Sequence, residues 1–263
     1  MTVHYRLIFF IVAVLGGTPA TAHEFWIEPS AHYSDPGTSV GITLKVGETF
    51  RGSAQPYLND EVEKFLVLTD VIEAIPGLLG DSRPAAKVTL NTGLHQIIHL
   101  TTPSSIRFGD GDKRWENYIQ LDGLRNQLEQ YPDIPQSVPI TERHIRCAKS
   151  LIKSGSDQTT DYLSGQLPFE LVLNGSWSTI DKGVKRFTLF DSGKPLAGIL
   201  IKAFRQSDRE VVSEAYTDKQ GQIRLDLPTN DRYLISGVVI RPDIDRNYNW
   251  ISHWPTLTIQ VTD

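Results

Sequence analysis

From about residue 167 to the C-terminus, strand-length apolar runs follow one another with turn residues between them. No other feature of the chain restricts its fold as tightly. The runs cover residues 169–173, 185–190, 197–205, 210–217, 222–227 and 233–241. Short strands at regular spacing over roughly 95 residues predict a β-sandwich of the immunoglobulin-like sort.

The first half reads differently. Residues 39–45 alternate Val40, Ile42 and Leu44 with small or polar residues, the mark of a half-buried strand, and 64–69 is a compact apolar strand. Residues 87–90 and 94–101 flank Asn91-Thr92-Gly93, a loop that suits a hairpin because glycine accepts the left-handed backbone. Tyr118, Leu121, Leu124 and Leu128 recur at helical spacing over 115–130. A second helix is expected over 141–153, N-capped by Thr141, with Ile140, His144, Cys147, Ala148 and Leu151 as its buried stripe. The polar stretch 154–161 then reads as a linker. The expected architecture is mainly β (α+β). A β-rich domain with two helices over 23–165 precedes a sandwich domain over 166–263.

The N-terminus carries an export pattern. Arg6 precedes the apolar run 7–15, Gly16, Gly17 and Pro19 break it, and Ala20-Thr21-Ala22 sets small residues at the −3 and −1 positions of a cleavage site. The run is too short to span a bilayer, so residues 1–22 are expected to be a cleaved signal peptide. The product would be periplasmic or secreted, begin at His23 and have no stable membrane insertion. Cys147, the one cysteine, excludes an internal disulfide. Of 26 basic residues one lies in the first 22, and of 31 acidic residues none does, so the mature chain carries −6 rather than the −5 of the whole. A mildly acidic chain without a basic stripe is a poor partner for nucleic acid.

Two resemblances follow from motifs. Asp191-Ser192-Gly193-Lys194-Pro195-Leu196-Ala197-Gly198 with Thr217-Asp218 and Gly221 resembles carboxypeptidase-regulatory-like sandwiches. Several segments together resemble a bacterial family of unknown function, whose members are often described as periplasmic components of nickel or cobalt uptake. They are His23-Glu24-Phe25-Trp26-Ile27-Glu28-Pro29, Gly47-Glu48-Thr49-Phe50, Gly93-Leu94-His95, Glu142-Arg143 with Arg146 and Lys149, and Trp250-Ile251-Ser252-His253-Trp254. The resemblance implies a metal ion as ligand and a membrane transporter component as partner.

The sharpest candidate site is His23. Cleavage before it places a free α-amine and an imidazole on one residue, which chelate a metal ion in a six-membered ring. An ordinary amine pKa of about 7.7 lets a metal displace its proton near neutral pH. A further imidazole would complete a nitrogen site for Ni, Co or Cu. His95 is the expected partner, with His99 and His253 as reserves and Glu24 or Glu28 as a possible carboxylate ligand. In a strand His95 and His99 share a face about 13 Å apart, so only one can be a ligand to a given ion. Glu142, Arg146 and Lys149 would form an exposed ladder on one helix face. Asp243, Asp245, Asn247 and Asn249 begin like a calcium loop, but Tyr248 replaces its glycine, which leaves a solvated loop.

No nucleophile elbow, phosphate loop or dinucleotide fingerprint is present, so no enzyme class is indicated. Three readings compete: a transition-metal-binding or uptake accessory protein, a copper enzyme with a histidine brace, and a non-metal binding or adhesion module. Mass spectrometry of the exported chain should show a product lacking residues 1–22 with His23 first. A product retaining them would remove the terminal chelate.

Overall fold

Two-residue alternation shapes the strands that have one face in water. In Gln222–Leu227 the side chains of Ile223, Leu225 and Leu227 are buried and those of Gln222, Arg224 and Asp226 are exposed, so one face packs and the other meets water. The computed structural model describes residues 24–69, 71–155, 165–175 and 183–262. The expected signal peptide, His23 and most of the expected linker lie outside these described residues.

Nine strands come first: β1 (Glu24–Pro29), β2 (Tyr33–Ser34), β3 (Ser39–Glu48), β4 (Arg51–Gln55), β5 (Val62–Leu68), β6 (Ile72–Ala74), β7 (Ala86–Thr89), β8 (Gly93–Thr101) and β9 (Ser104–Phe108). Two short helices follow, α1 (Arg114–Leu121) and α2 (Arg125–Leu128). The remainder is β10 (Ile140–Ser154), β11 (Phe169–Leu173), β12 (Gly183–Asp191), β13 (Lys194–Pro195), β14 (Leu200–Arg205), β15 (Val211–Tyr216), β16 (Gln222–Leu227), β17 (Asp231–Gly237), β18 (Val239–Pro242) and β19 (Trp250–Val261). The fold is mainly β, and the runs expected after residue 167 all fall on strands. No helix among the described residues is long and apolar enough to cross a membrane.

An 11-stranded sheet forms the centre, in the order β15-β14-β17-β19-β10-β8-β5-β6, with β18 on β19 and with β2 and β9 on β10. A four-stranded sheet of β11, β12, β13 and β16 covers one face and completes the C-terminal sandwich. A second small sheet of β1, β3, β4 and β7 covers the other face. The central sheet runs across the expected boundary near residue 165, because β10 pairs in parallel with β19 from Glu142↔Trp250 to Ser150↔Thr258. The core between the sandwich sheets likewise draws Leu94, Ile98, Cys147 and Leu151 from the first half.

The helix expected over 141–153 is strand β10. Cys147 and Leu151 face one core while Ala148 and Ile152 face the other. A strand covered on both faces loses its polar–apolar alternation, and a continuous apolar run of that kind is easily mistaken for a helical stripe. The expected ladder of Glu142, Arg146 and Lys149 is absent for the same reason: Glu142 and Lys149 are both fully buried. The expected hairpin around Asn91 is also corrected. β7 pairs with β3 in a covering sheet and β8 with β10 and β5 in the central one, so Asn91-Thr92-Gly93 joins two layers. The first expected helix forms in two pieces, divided at Gly123, where φ is +62° and a Cβ would stand 2.8 Å from the Tyr216 hydroxyl. The loop 243–249 is tied down: Asp243 accepts from Arg143 at 2.9 Å and from the Tyr248 amide at 3.1 Å, and Asn249 accepts from the Thr141 amide at 2.8 Å.

β1 is held in an unusual way. β3 pairs with one of its edges. The carbonyls of Phe25 and Ile27 accept hydrogen bonds from the hydroxyls of Thr256, at 2.8 Å, and Thr258, at 2.7 Å, on β19. Two threonine side chains thus supply donors that a neighbouring strand would otherwise give.

Lys149 on β10 and Glu170 on β11 form a buried ion pair at 2.7 Å between the sheets, and the Gly165 amide donates to the second Glu170 oxygen at 3.1 Å. Removing one partner strands a buried charge. Lys149→Met should cost about 3–5 kcal/mol in urea unfolding, and Lys149→Met with Glu170→Leu should cost less than the single change. A double variant as unstable as the single would show that packing rather than charge decides.

Candidate functional site

The contact of Thr256 with the Phe25 carbonyl holds the start of β1. Glu24, its first residue, shares a face with Trp26, which packs against Phe50, Phe204 and Leu234. Glu24 is itself buried and lines a cavity of about 350 Å³. Several further elements meet β1 there. α1 and the residue after it supply Tyr118, Leu121 and Asp122, β14 supplies Lys202 and Phe204, β15 supplies Glu214, and β19 supplies Trp254. The tip of the β3–β4 turn adds Glu48 and Thr49. Thr49 and Phe50 have φ of +51° and +60°, left-handed values that a two-residue hairpin turn of this type requires and that non-glycine residues adopt at a cost.

The aromatic wall is ordered. Tyr118 and Trp254 stack with ring centroids 5.4 Å apart and planes 6° from parallel. Behind them Glu142 is fully buried. Its Oε1 accepts from the Tyr118 hydroxyl at 3.2 Å and from the Ser252 hydroxyl, and Ser252 accepts from the Trp254 indole at 2.9 Å. The other Glu142 oxygen has no partner. Burial raises the Glu142 carboxyl to about 7, against the lowering by its two hydroxyl donors. Burial likewise raises Glu24 to about 7, with Asp122 adding to the effect.

The cavity's cations are already paired. Lys202 donates to Asp122 at 2.7 Å and to the Leu121 carbonyl at 3.0 Å, and Arg114 is held by Asp112 through contacts of 2.6–3.0 Å. The lining can therefore stabilise positive charge and apolar surface together.

The histidines singled out from sequence are dispersed. His99 is buried between Phe25 and Phe65, with ring centroids at 5.0 and 5.2 Å, and neither ring nitrogen has a partner. Burial, and then the Arg146 charge, lower its pKa to about 3, so it is a neutral imidazole. His95 lies four residues back on the same strand. One of its ring nitrogens bonds the Asn91 carbonyl at 2.8 Å and the other has no partner. His253 faces the opposite side of the central sheet, against Phe169 at 4.5 Å, with its pKa lowered to about 4 by burial and then by Arg241. His99, not His95, is the histidine beside β1. Glu28 is engaged by Lys45 at 2.8 Å. Among the described residues no three His, Cys, Asp or Glu side chains group to hold a metal ion. His23 lies outside those residues.

The family model "Domain of unknown function (DUF4198)" matches residues 20–240. The chain belongs to this family. The DUF4198 match takes in β1, the turn at Glu48 and Thr49, both helices and β14, hence most of the cavity lining. The tRNA (guanine-N(1)-)-methyltransferases of Listeria welshimeri, Listeria monocytogenes and Listeria innocua are 28% identical over 105 residues, 37% of this chain and 41% of theirs. The chain thus spans about two-fifths of the length of the curated relatives it matches, and their activity does not carry over. The fibronectin(III)-like modules of Clostridium thermocellum CbhA align over 90% of this chain and 94% of theirs, at 11% identity and a TM-score of 0.20, too low to support an argument.

The raised carboxyls give a signed prediction. Folded Glu142 keeps a proton that the unfolded chain releases above about 4.5, so its contribution to stability falls as pH rises from about 4.5 to about 7 and is constant beyond. Buried His32 and His99 and half-buried His144 and His253, with lowered pKa values, act oppositely below about 6.5. The comparison with Glu142→Gln isolates the carboxyl. The variant should gain on the parent by about 3 kcal/mol between pH 4.5 and 8 in urea unfolding. A difference independent of pH would mean that Glu142 is ionised throughout.

Proposed function

We propose that this protein is exported to the periplasm or beyond and binds a transition-metal ion (nickel, cobalt or copper) for uptake, passing it to a membrane transporter component. The observation that carries the reading is the placement of Glu24. The residue joined to His23 is buried at the cavity, where acidic side chains gather and the cations are already neutralised. In this reading the His23 amine and imidazole hold the ion and Glu24 adds a carboxylate. His99, unpartnered beside Phe25, lies on the other face of β1 from Glu24, so in this reading the carboxylate and not a second imidazole joins the His23 chelate. Nitrogen donors with one carboxylate suit nickel, cobalt and copper, and intrinsic affinity favours copper.

The consequence is specific to the amine. Titration of the mature chain with Ni(II), Co(II) and Cu(II) should give one saturable site, and a form extended by Met before His23 should bind about tenfold or more weakly although every side chain remains. Equal affinity in the two forms removes the amine from the site, and no saturable metal site at all leaves a binding module for another ligand.

A further inference from the structure

The same cavity has a property that rests neither on His23 nor on the metal reading. A bare ion uses little of 350 Å³, since a water molecule's share of liquid volume is about 30 Å³, and the cavity lies within the size range of small-molecule sites. Phe108, Tyr118, Phe204 and Trp254 give it aromatic walls. Such walls offer a metal ion no ligand but attract an organic cation through their ring faces.

Charge narrows the choice further. No ion pair among the described residues engages Glu24, Glu48 or Glu214, whereas Lys202 and Arg114 are each held by an aspartate. Glu24 is more than nine-tenths buried, and within the described residues only its own backbone amide donates to it. A buried carboxyl without an outside donor is costly, and a ligand that brings an N–H or a positive charge offsets that cost. An anion would meet three carboxylates, and a neutral apolar ligand would leave Glu24 unmatched. Glu48 and Glu214 are exposed at the mouth, where they attract a cation before it enters. We infer that the cavity is a binding site for a small organic ammonium ion, its apolar body against the Tyr118–Trp254 wall and its charged nitrogen at Glu24.

The test is calorimetric titration of the mature chain at pH 8 and low salt with butylammonium, tetramethylammonium and, as the neutral counterpart, butan-1-ol. An ammonium ion should bind saturably, with butan-1-ol weaker by about tenfold or more. Glu24→Gln should cost about tenfold in ammonium affinity. Glu48→Gln with Glu214→Gln should cost about threefold and lose that effect in 0.5 M salt. The two mouth residues are exposed, so their double variant folds and decides the matter even where Glu24→Gln does not fold. Absence of saturable ammonium binding, equal binding of butan-1-ol, or affinity unchanged in both the Glu24 and mouth variants would overturn the inference. Failure of the metal reading shows separately, as equal metal affinity of native and Met-extended chains.

Discussion

The parallel pairing of β10 with β19 is the constraint from which the remaining architecture follows. It joins the two halves of the chain along nine paired positions and gives the central sheet two faces that must both be covered. The sandwich sheet covers one and the sheet of β1, β3, β4 and β7 covers the other. Parallel strands buried on both sides satisfy their backbones internally and leave little polar surface. The polar groups that do occur along this pair therefore need particular partners. Lys149 has Glu170 across the sheet interface, Thr256 and Thr258 reach the carbonyls of β1, and Glu142 has Tyr118 and Ser252.

Those partners connect the sheet to the cavity. The two threonines hold β1 so that Glu24 stands at the cavity, and Ser252 two residues before Trp254 positions both the indole and the Glu142 carboxyl. The indole then stacks on Tyr118, whose hydroxyl returns to Glu142. This closed circuit of hydrogen bonds and ring contacts sets the wall before any ligand arrives, the condition under which binding loses least to side-chain ordering.

Legibility in the sequence followed the number of covered faces. β16 has one wet face, so Ile223, Leu225 and Leu227 alternate visibly, and the even spacing of the strand-length runs let the fold class be read. The second half of β10 has none, so Cys147, Ala148 and Leu151 looked like one side of a helix. The cavity was harder still. Glu24, Glu48, Tyr118, Lys202, Glu214 and Trp254 are up to 230 positions apart and share no spacing. The available signals were partial: the aromatic-rich Trp250–Trp254 segment, and a run of acid and turn residues at Gly47-Glu48-Thr49. The position of His23 after Ala20-Thr21-Ala22 drew attention to the histidines instead. In the structure His95 and His99 are buried and His253 is half-buried, with His99 and His253 on opposite sides of the central sheet.

Buried carboxyls at Glu24 and Glu142 work against stability near neutral pH, as do left-handed Thr49 and Phe50 at the turn beside them. A fold selected only for stability would replace Glu142 with an apolar residue or complete the hydrogen bonding of its second oxygen. Two buried carboxyls and a left-handed turn meet around one concavity, and locally unfavourable features gathered in that way are what a functional site looks like when its requirements override those of folding. The unfavourable terms share a sign as well: each carboxyl becomes easier to ionise when positive charge arrives. The energy withheld from the empty protein is thus available to a cation that enters, so the same side chains that weaken the fold would strengthen binding.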